Sequence, residues 1–211
     1  MNYTIGLIDD EAANVRTVQR KARLTSVTVE PIELEEDMGE VIKKILESNI
    51  QGILVDYKLN LTKPNIRYNG ADLINELEKH KMNFPSFILT GFEDDAENEL
   101  IDVNKIYRKE DYFHDPAKLN RRIIKQIENH KEKIKNAEQE LYLLLEKKAI
   151  GELSLKEEER LIELDNFIEN CISSKGAIAV DLKKTSNSDR LDTLLNKANK
   201  ILEEVRKYEK I

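Results

Sequence analysis

At 211 residues the chain is long enough for one large or two small domains with a real core. It is 36% charged and 6% aromatic, with no Trp, 7 Gly and 4 Pro, a composition that favours long solvated helices over an all-β fold. The net charge of −7 is uneven: residues 1–115 hold 14 basic and 23 acidic groups and residues 116–211 hold 20 and 18, so neither half carries an electrostatic footprint for nucleic acid.

In chain order, Tyr3 to Ile8 reads as a strand that runs into Asp9-Asp10-Glu11. Ala12, Val15 and Val18 predict a helix to about Arg23, Val27-Thr28-Val29 a short strand, and Val41, Ile42, Ile45 and Leu46 a second helix ending near Asn49. Gly52 to Val55 is an apolar run that climbs to Asp56 and breaks into a loop, residues 57–69, containing Pro64. Ala71, Leu73, Ile74 and Leu77 mark a third helix. Pro85 opens a strand ending at Thr90-Gly91, Glu93 to Val103 reads as an acidic fourth helix, and Ile106-Tyr107-Arg108 is a weaker strand ending in Lys109. Asp115-Pro116 is a start signal for a fifth helix. Alternating strands and helices predict an α/β fold, a doubly wound five-stranded parallel sheet, followed by an all-α helical extension.

Beyond Leu119 the apolar residues Ile123, Ile127, Ile134, Ala137, Leu141 and Leu144 keep a helical period until Gly151. The expected organisation is a first domain over 1–128 and a helical domain over 129–211, with the fifth helix continuous to about residue 149. Ser154 and Glu157 have capping-box spacing at the start of a helix bearing Leu161, Leu164, Ile168 and Cys171. A loop over 173–188 precedes a last helix in which Leu191, Leu194, Ala198, Ile201, Val205 and Tyr208 recur at coiled-coil spacing. The expectation is a bundle folded on itself, with a homodimer contact as an addition. Cys171, the one cysteine, rules out an intrachain disulfide and reads as a packed thiol. No apolar run approaches a membrane span, and a strand starting so near Met1 leaves no room for a signal peptide, so the expected location is cytoplasmic. His130 lies on the apolar seam of the long helix and reads as a seam-polar residue, not as a phosphotransfer group.

In a parallel α/β sheet, ligands sit at the carboxyl ends of strands, where this sequence places Asp9, Asp10, Asp56, Thr90 and Lys109. Three carboxylates in one pocket call for a cation, and oxygen ligands suit Mg2+. A strand-end carboxylate can then attack a phosphoryl group while a hydroxyl and an ammonium neutralise its oxygens. Each piece has a plainer reading, since Asp9-Asp10-Glu11 can cap a helix, Thr90 can be a turn residue and Lys109 a solvated charge. A dehalogenase-type phosphatase would need a second Asp where Lys58 stands.

Ile5 to Glu11, Ile53 to Asp56, Asn69 to Leu73, Ile88 to Gly91 and Lys109 together resemble a two-component response-regulator receiver domain, over roughly residues 1–128. The resemblance implies that Asp56 accepts phosphate from a sensor histidine kinase. It implies that Asp10, Asp56 and the Lys58 carbonyl ligate Mg2+ with Asp9 acting through water, and that Thr90 and Lys109 bind the phosphoryl group. It implies no enzyme activity beyond self-catalysed phosphoryl acceptance and dephosphorylation. Three features depart from the pattern: a longer loop after Asp56, Glu110 in place of the usual Pro, and an aromatic at Tyr107 instead of Ile106, which turns its side chain to the other face. The expected output is a protein partner of the helical tail, without nucleic acid or membrane. A phosphorelay or phosphate-buffer receiver with a structural tail is the alternative.

Overall fold

The computed structural model describes residues 3–23, 25–92, 96, 103–151 and 153–172. Five parallel strands, β1 (Tyr3–Ile8), β2 (Val27–Pro31), β3 (Gly52–Val55), β4 (Ser86–Thr90) and β5 (Ile106–Arg108), form one sheet in the order β2-β1-β3-β4-β5. The crossovers are α1 (Ala12–Ala22), α2 (Met38–Glu47) and α3 (Gly70–His80). Of the expected fourth helix only Ala96 and Val103 are among the described residues. The expected last helix and the loop before it lie outside them.

Side-chain alternation divides the core between the two faces of the sheet. Ile53, Val55 and Ile88 pack with Val41, Ile42 and Ile45 of α2 and Leu73, Ile74 and Leu77 of α3. On the other face Leu54, Phe87 and Leu89 pack with Val18 of α1 and with Leu119, Ile123 and Ile127. Burial on both faces explains why β3 and β4 read as continuous apolar runs instead of alternating ones. The helix starts follow capping chemistry: Asp37 accepts from Gly39 N at 2.8 Å, and Asn69 with Asp72 forms a reciprocal capping box.

After β5 the chain forms a short helix that the sequence did not announce, α4 (Lys109–His114), with Lys109 as its first residue. Glu110 and Asp111 occupy the first turn, where acidic side chains complement the helix dipole. Glu110, where the sequence resemblance led us to expect Pro, thus lies inside this helix. Pro116 then opens α5 (Pro116–Ala149), 34 residues without interruption. At 1.5 Å per residue α5 is about 50 Å long. Its first turns lie on the sheet, and Tyr3 donates its hydroxyl to Glu128 at 2.8 Å near the last of these contacts. Farther on, Ala137 and Leu144 turn the same helical stripe toward Leu161 and Leu164 of α6 (Leu155–Ile172).

The α5–α6 pair is an antiparallel hairpin. Ser154 donates from both its backbone N–H and its hydroxyl to Glu157 at the start of α6, and Arg160 makes a forked pair with Glu140 at 2.8 and 2.9 Å. At its far end α6 returns to the sheet domain, where Met82 donates its backbone N–H to the Asn170 carbonyl at 2.8 Å. Cys171 is fully buried as a free thiol. Burial, Lys81 and Lys133 hold the half-buried His130 imidazole below its ordinary value. Among the described residues no helix is long and apolar enough to cross a membrane.

Candidate functional site

The strand ends of β1 and β3 are neighbours in register, Ile8 opposite Val55, so the residues that follow them emerge side by side. One carboxylate oxygen from each of Asp9, Asp10 and Asp56 lies within 4.8 Å of the others. Lys109 reaches this cluster from the start of α4, with its ammonium 2.6 Å from Asp56 Oδ2 and 2.9 Å from Asp9 Oδ2. Asp56 is 3% exposed. Its carboxyl is pushed up to about 6, chiefly by burial, which outweighs the lowering by Lys109 and is reinforced by Asp9; the Thr90 hydroxyl lowers it slightly. Burial works against the Lys109 charge, yet Asp56 and Asp9 together hold the ammonium above its ordinary value.

The helix-cap reading of Asp9-Asp10-Glu11 is not met, because none of the three carboxylates accepts from a first-turn backbone N–H of α1. Glu11 stands at the N-cap of α1 without a capping side-chain bond, and Asp9 Oδ1 accepts from Glu11 N and Asn14 Nδ2. The Asp10 side chain instead faces the 57–69 loop, accepting from the backbone N–H of Thr62. Thr90, fully buried at the end of β4, accepts from Phe92 N at 3.1 Å, which is a turn contact made through its oxygen. Lys58 places its ammonium 3.7 Å from the centre of the Phe92 ring.

Asp10 Oδ1 and Asp56 Oδ1 are both buried without a hydrogen-bond partner. An ionised oxygen in that condition is costly, and a hard cation satisfies two of them at once. The donor set therefore fits Mg2+, with Asp10 and Asp56 as the oxygens left open for it. Both Asp9 oxygens are already engaged, Oδ1 by Glu11 N and Asn14 Nδ2 and Oδ2 by Lys109. A cleft of about 360 Å³ opens onto Asp9 and Asp10, with Arg16 and Lys63 in its lining.

Strand parity decides the aromatic question. Ile106 packs toward α2 and α3, while Tyr107 packs on the opposite face, 6.0 Å from Phe87 between ring centres and 5.7 Å from the Arg122 guanidinium of α5. The aromatic of β5 therefore touches the long helix. Sequence reasoning missed Thr62, for which the extra length of the loop was the sole signal.

No protein-family model and no curated protein matches the chain. Among solved structures, the signal receiver domain of an HD domain-containing protein from Pseudomonas fluorescens Pf-5 is 14% identical, covering 62% of this chain and 93% of its own, with a TM-score of 0.50. A response regulator receiver domain protein from Clostridium thermocellum is 20% identical over 61% of this chain and 97% of its own, with a TM-score of 0.46. A CheY-like receiver domain protein from Methanospirillum hungatei JF-1 is 18% identical over 61% and 99%, with a TM-score of 0.45. On the first of these, the sheet-bearing part of the chain has the fold of a response-regulator receiver domain, as its sequence pattern led us to expect.

Proposed function

We propose that a chain with this fold and this acidic pocket is a response regulator of a two-component system. Asp56 takes a phosphoryl group from the phosphohistidine of a sensor histidine kinase, and the helical extension passes the change to a protein partner. The observation that carries the reading is the buried Asp56 carboxyl, raised to about 6 and paired with Lys109 at 2.6 Å inside a three-carboxylate cluster. An isolated structural ion pair has no need of two further carboxylates beside it, nor of unpartnered oxygens on Asp10 and Asp56.

In the reaction an Asp56 oxygen attacks phosphorus, the phosphorus–nitrogen bond breaks with its electron pair passing to the imidazole, and an acyl phosphate forms. Mg2+, when bound, neutralises charge on the carboxylates and the transferring oxygens. Asp10, Asp56 and the Lys58 carbonyl would hold it, with Asp9 one water away. Lys109 keeps Asp56 in place beforehand and exchanges that partner for a phosphoryl oxygen afterwards. The Thr90 hydroxyl, whose oxygen already accepts from Phe92 N, has its hydrogen available to the same group. Water attacking the acyl phosphate returns Asp56 and inorganic phosphate, so the turnover is self-catalysed and acts on no separate substrate.

The continuity of α5 from the sheet to the hairpin favours an output role for the extension over a purely structural one. Near-neutral charge over residues 116–211 favours a protein over DNA as what it contacts. The test is labelling by acetyl phosphate in Mg2+. Wild type takes up label and Asp56→Asn does not; equal labelling of the two sinks the reading.

A further inference from the structure

The segment between β3 and α3 is fastened over the acidic cluster at its middle. Thr62 donates its backbone N–H to Asp10 Oδ2 and its hydroxyl to the Asp10 carbonyl, the latter at 2.6 Å. On either side of Thr62 the segment is pinned. Leu59 and Ile66 are buried, Asn65 donates to Glu36 at 2.8 Å, and the Tyr68 hydroxyl donates to the Glu35 carbonyl at 2.6 Å. Gly70 closes it by donating to the Tyr57 carbonyl at 2.8 Å, and a Cβ at Gly70 would run into the Asp56 carbonyl. This is a fixed strap, not a loose excursion.

Its effect falls on one side chain. Among the described residues Thr62 N–H is the one donor to the Asp10 carboxylate, and it takes Oδ2. Oδ1 is left buried and without a partner, as is Asp56 Oδ1. A contact to the backbone and another to the carboxylate of the same residue restrain both the position of Asp10 and the rotation of its carboxyl group. A carboxylate so held presents a single oxygen to a cation, and outer hydrogen bonds of this kind orient metal ligands.

Resting on the receiver reading above, we propose that Thr62 is a positioning residue of the Mg2+ site and that the long loop exists to deliver it. It acts through Asp10 and does not touch the cation.

The test is Mg2+ affinity by titration calorimetry on the full chain, beside melting temperature in EDTA. Thr62→Ser keeps both donors and should bind as wild type. Thr62→Val loses the hydroxyl, and Thr62→Pro loses the N–H as well. Affinity should fall in that order, with a loss of about ten-fold or more for the Pro variant. Wild-type affinity in both Val and Pro variants overturns the proposal. Asp10→Asn separates this from the reading beneath it. If Asp10→Asn also binds Mg2+ as wild type does, the receiver site itself is misassigned. A measurement on wild type needs no variant to fold: the Thr62 amide should stay protected from hydrogen exchange when Mg2+ is added. If Mg2+ releases that amide, the strap competes with the cation and the proposal is overturned.

Discussion

Burying the Asp56 carboxylate has a measurable consequence when no cation is present. With its folded value at about 6, above the ~3.9 of an exposed Asp, the native state holds this proton more tightly than the unfolded chain. The associated stability is fully present below the unfolded value and is lost as pH rises through about 6. A difference of that size corresponds to ~3 kcal/mol. Asp56→Asn buries no such charge, and Lys109 retains Asp9 at 2.9 Å. In EDTA near neutral pH the Asn variant should therefore melt above wild type, with the gap closing as pH is lowered through about 6. A pH-independent gap would mean that burial is not what raises the Asp56 proton affinity. Lys109→Ala has the opposite expected sign. It strips the cluster of its cation, so the variant should melt below wild type in EDTA and be restored more strongly by Mg2+, while still accepting label at Asp56. If Mg2+ lifts both proteins equally, Lys109 is not what neutralises the cluster.

The elements were legible in proportion to how local their causes are. β3 and β4 end where an apolar run meets Asp56 and Thr90, and burial on both faces gives each run a sharp boundary. The parity of β5 could also be read, because a strand has period two: Tyr107, one place from the usual aromatic, faces α5 and not α3. Two features were not legible. The short α4 replaces a strand-end lysine with a helix-start lysine, and a six-residue helix offers too little periodicity to show in a sequence. The strap over residues 57–69 depends on Thr62 meeting Asp10, a contact across 52 positions that no local pattern encodes. α5 was the most legible element, since nothing interrupts its apolar stripe. Gln139, exposed on that helix, offers the test of its continuity. Gln139→Pro should cost about 3 kcal/mol locally. Labelling at Asp56 should survive, while any change that phosphorylation produces in amide protection over 155–172 should disappear. Retention of that change would show that α5 does not carry the coupling.

One helical stripe serves two cores of unequal size. Ile123 and Ile127 lie in a sheet-backed core with α1, β1, β3 and β4, whereas Ala137 and Leu144 are covered by Leu161, Leu164 and a few half-buried neighbours of α6. The second core is a satellite, and among the described residues its ties to the first include α5 itself and the contact of Met82 with Asn170. Sites this far apart with no shared partners respond independently to substitution. Truncating a buried Leu or Ile to Ala costs about 2–5 kcal/mol in a core that cannot collapse. In the small core that loss exceeds what its few contacts supply, and the hairpin should open locally. In the large one it is absorbed into the global stability of the sheet domain. Leu144→Ala should therefore remove amide protection beyond about residue 130 of α5 and throughout α6, with Asp56 labelled at the wild-type rate. Ile123→Ala should lower the melting temperature of the sheet domain and slow labelling through the population that unfolds. The informative comparison is between the two on one helix. Loss of labelling in Leu144→Ala equal to that in Ile123→Ala would mean that the chain folds as a single cooperative unit, and the boundary near residue 128 would have no energetic meaning.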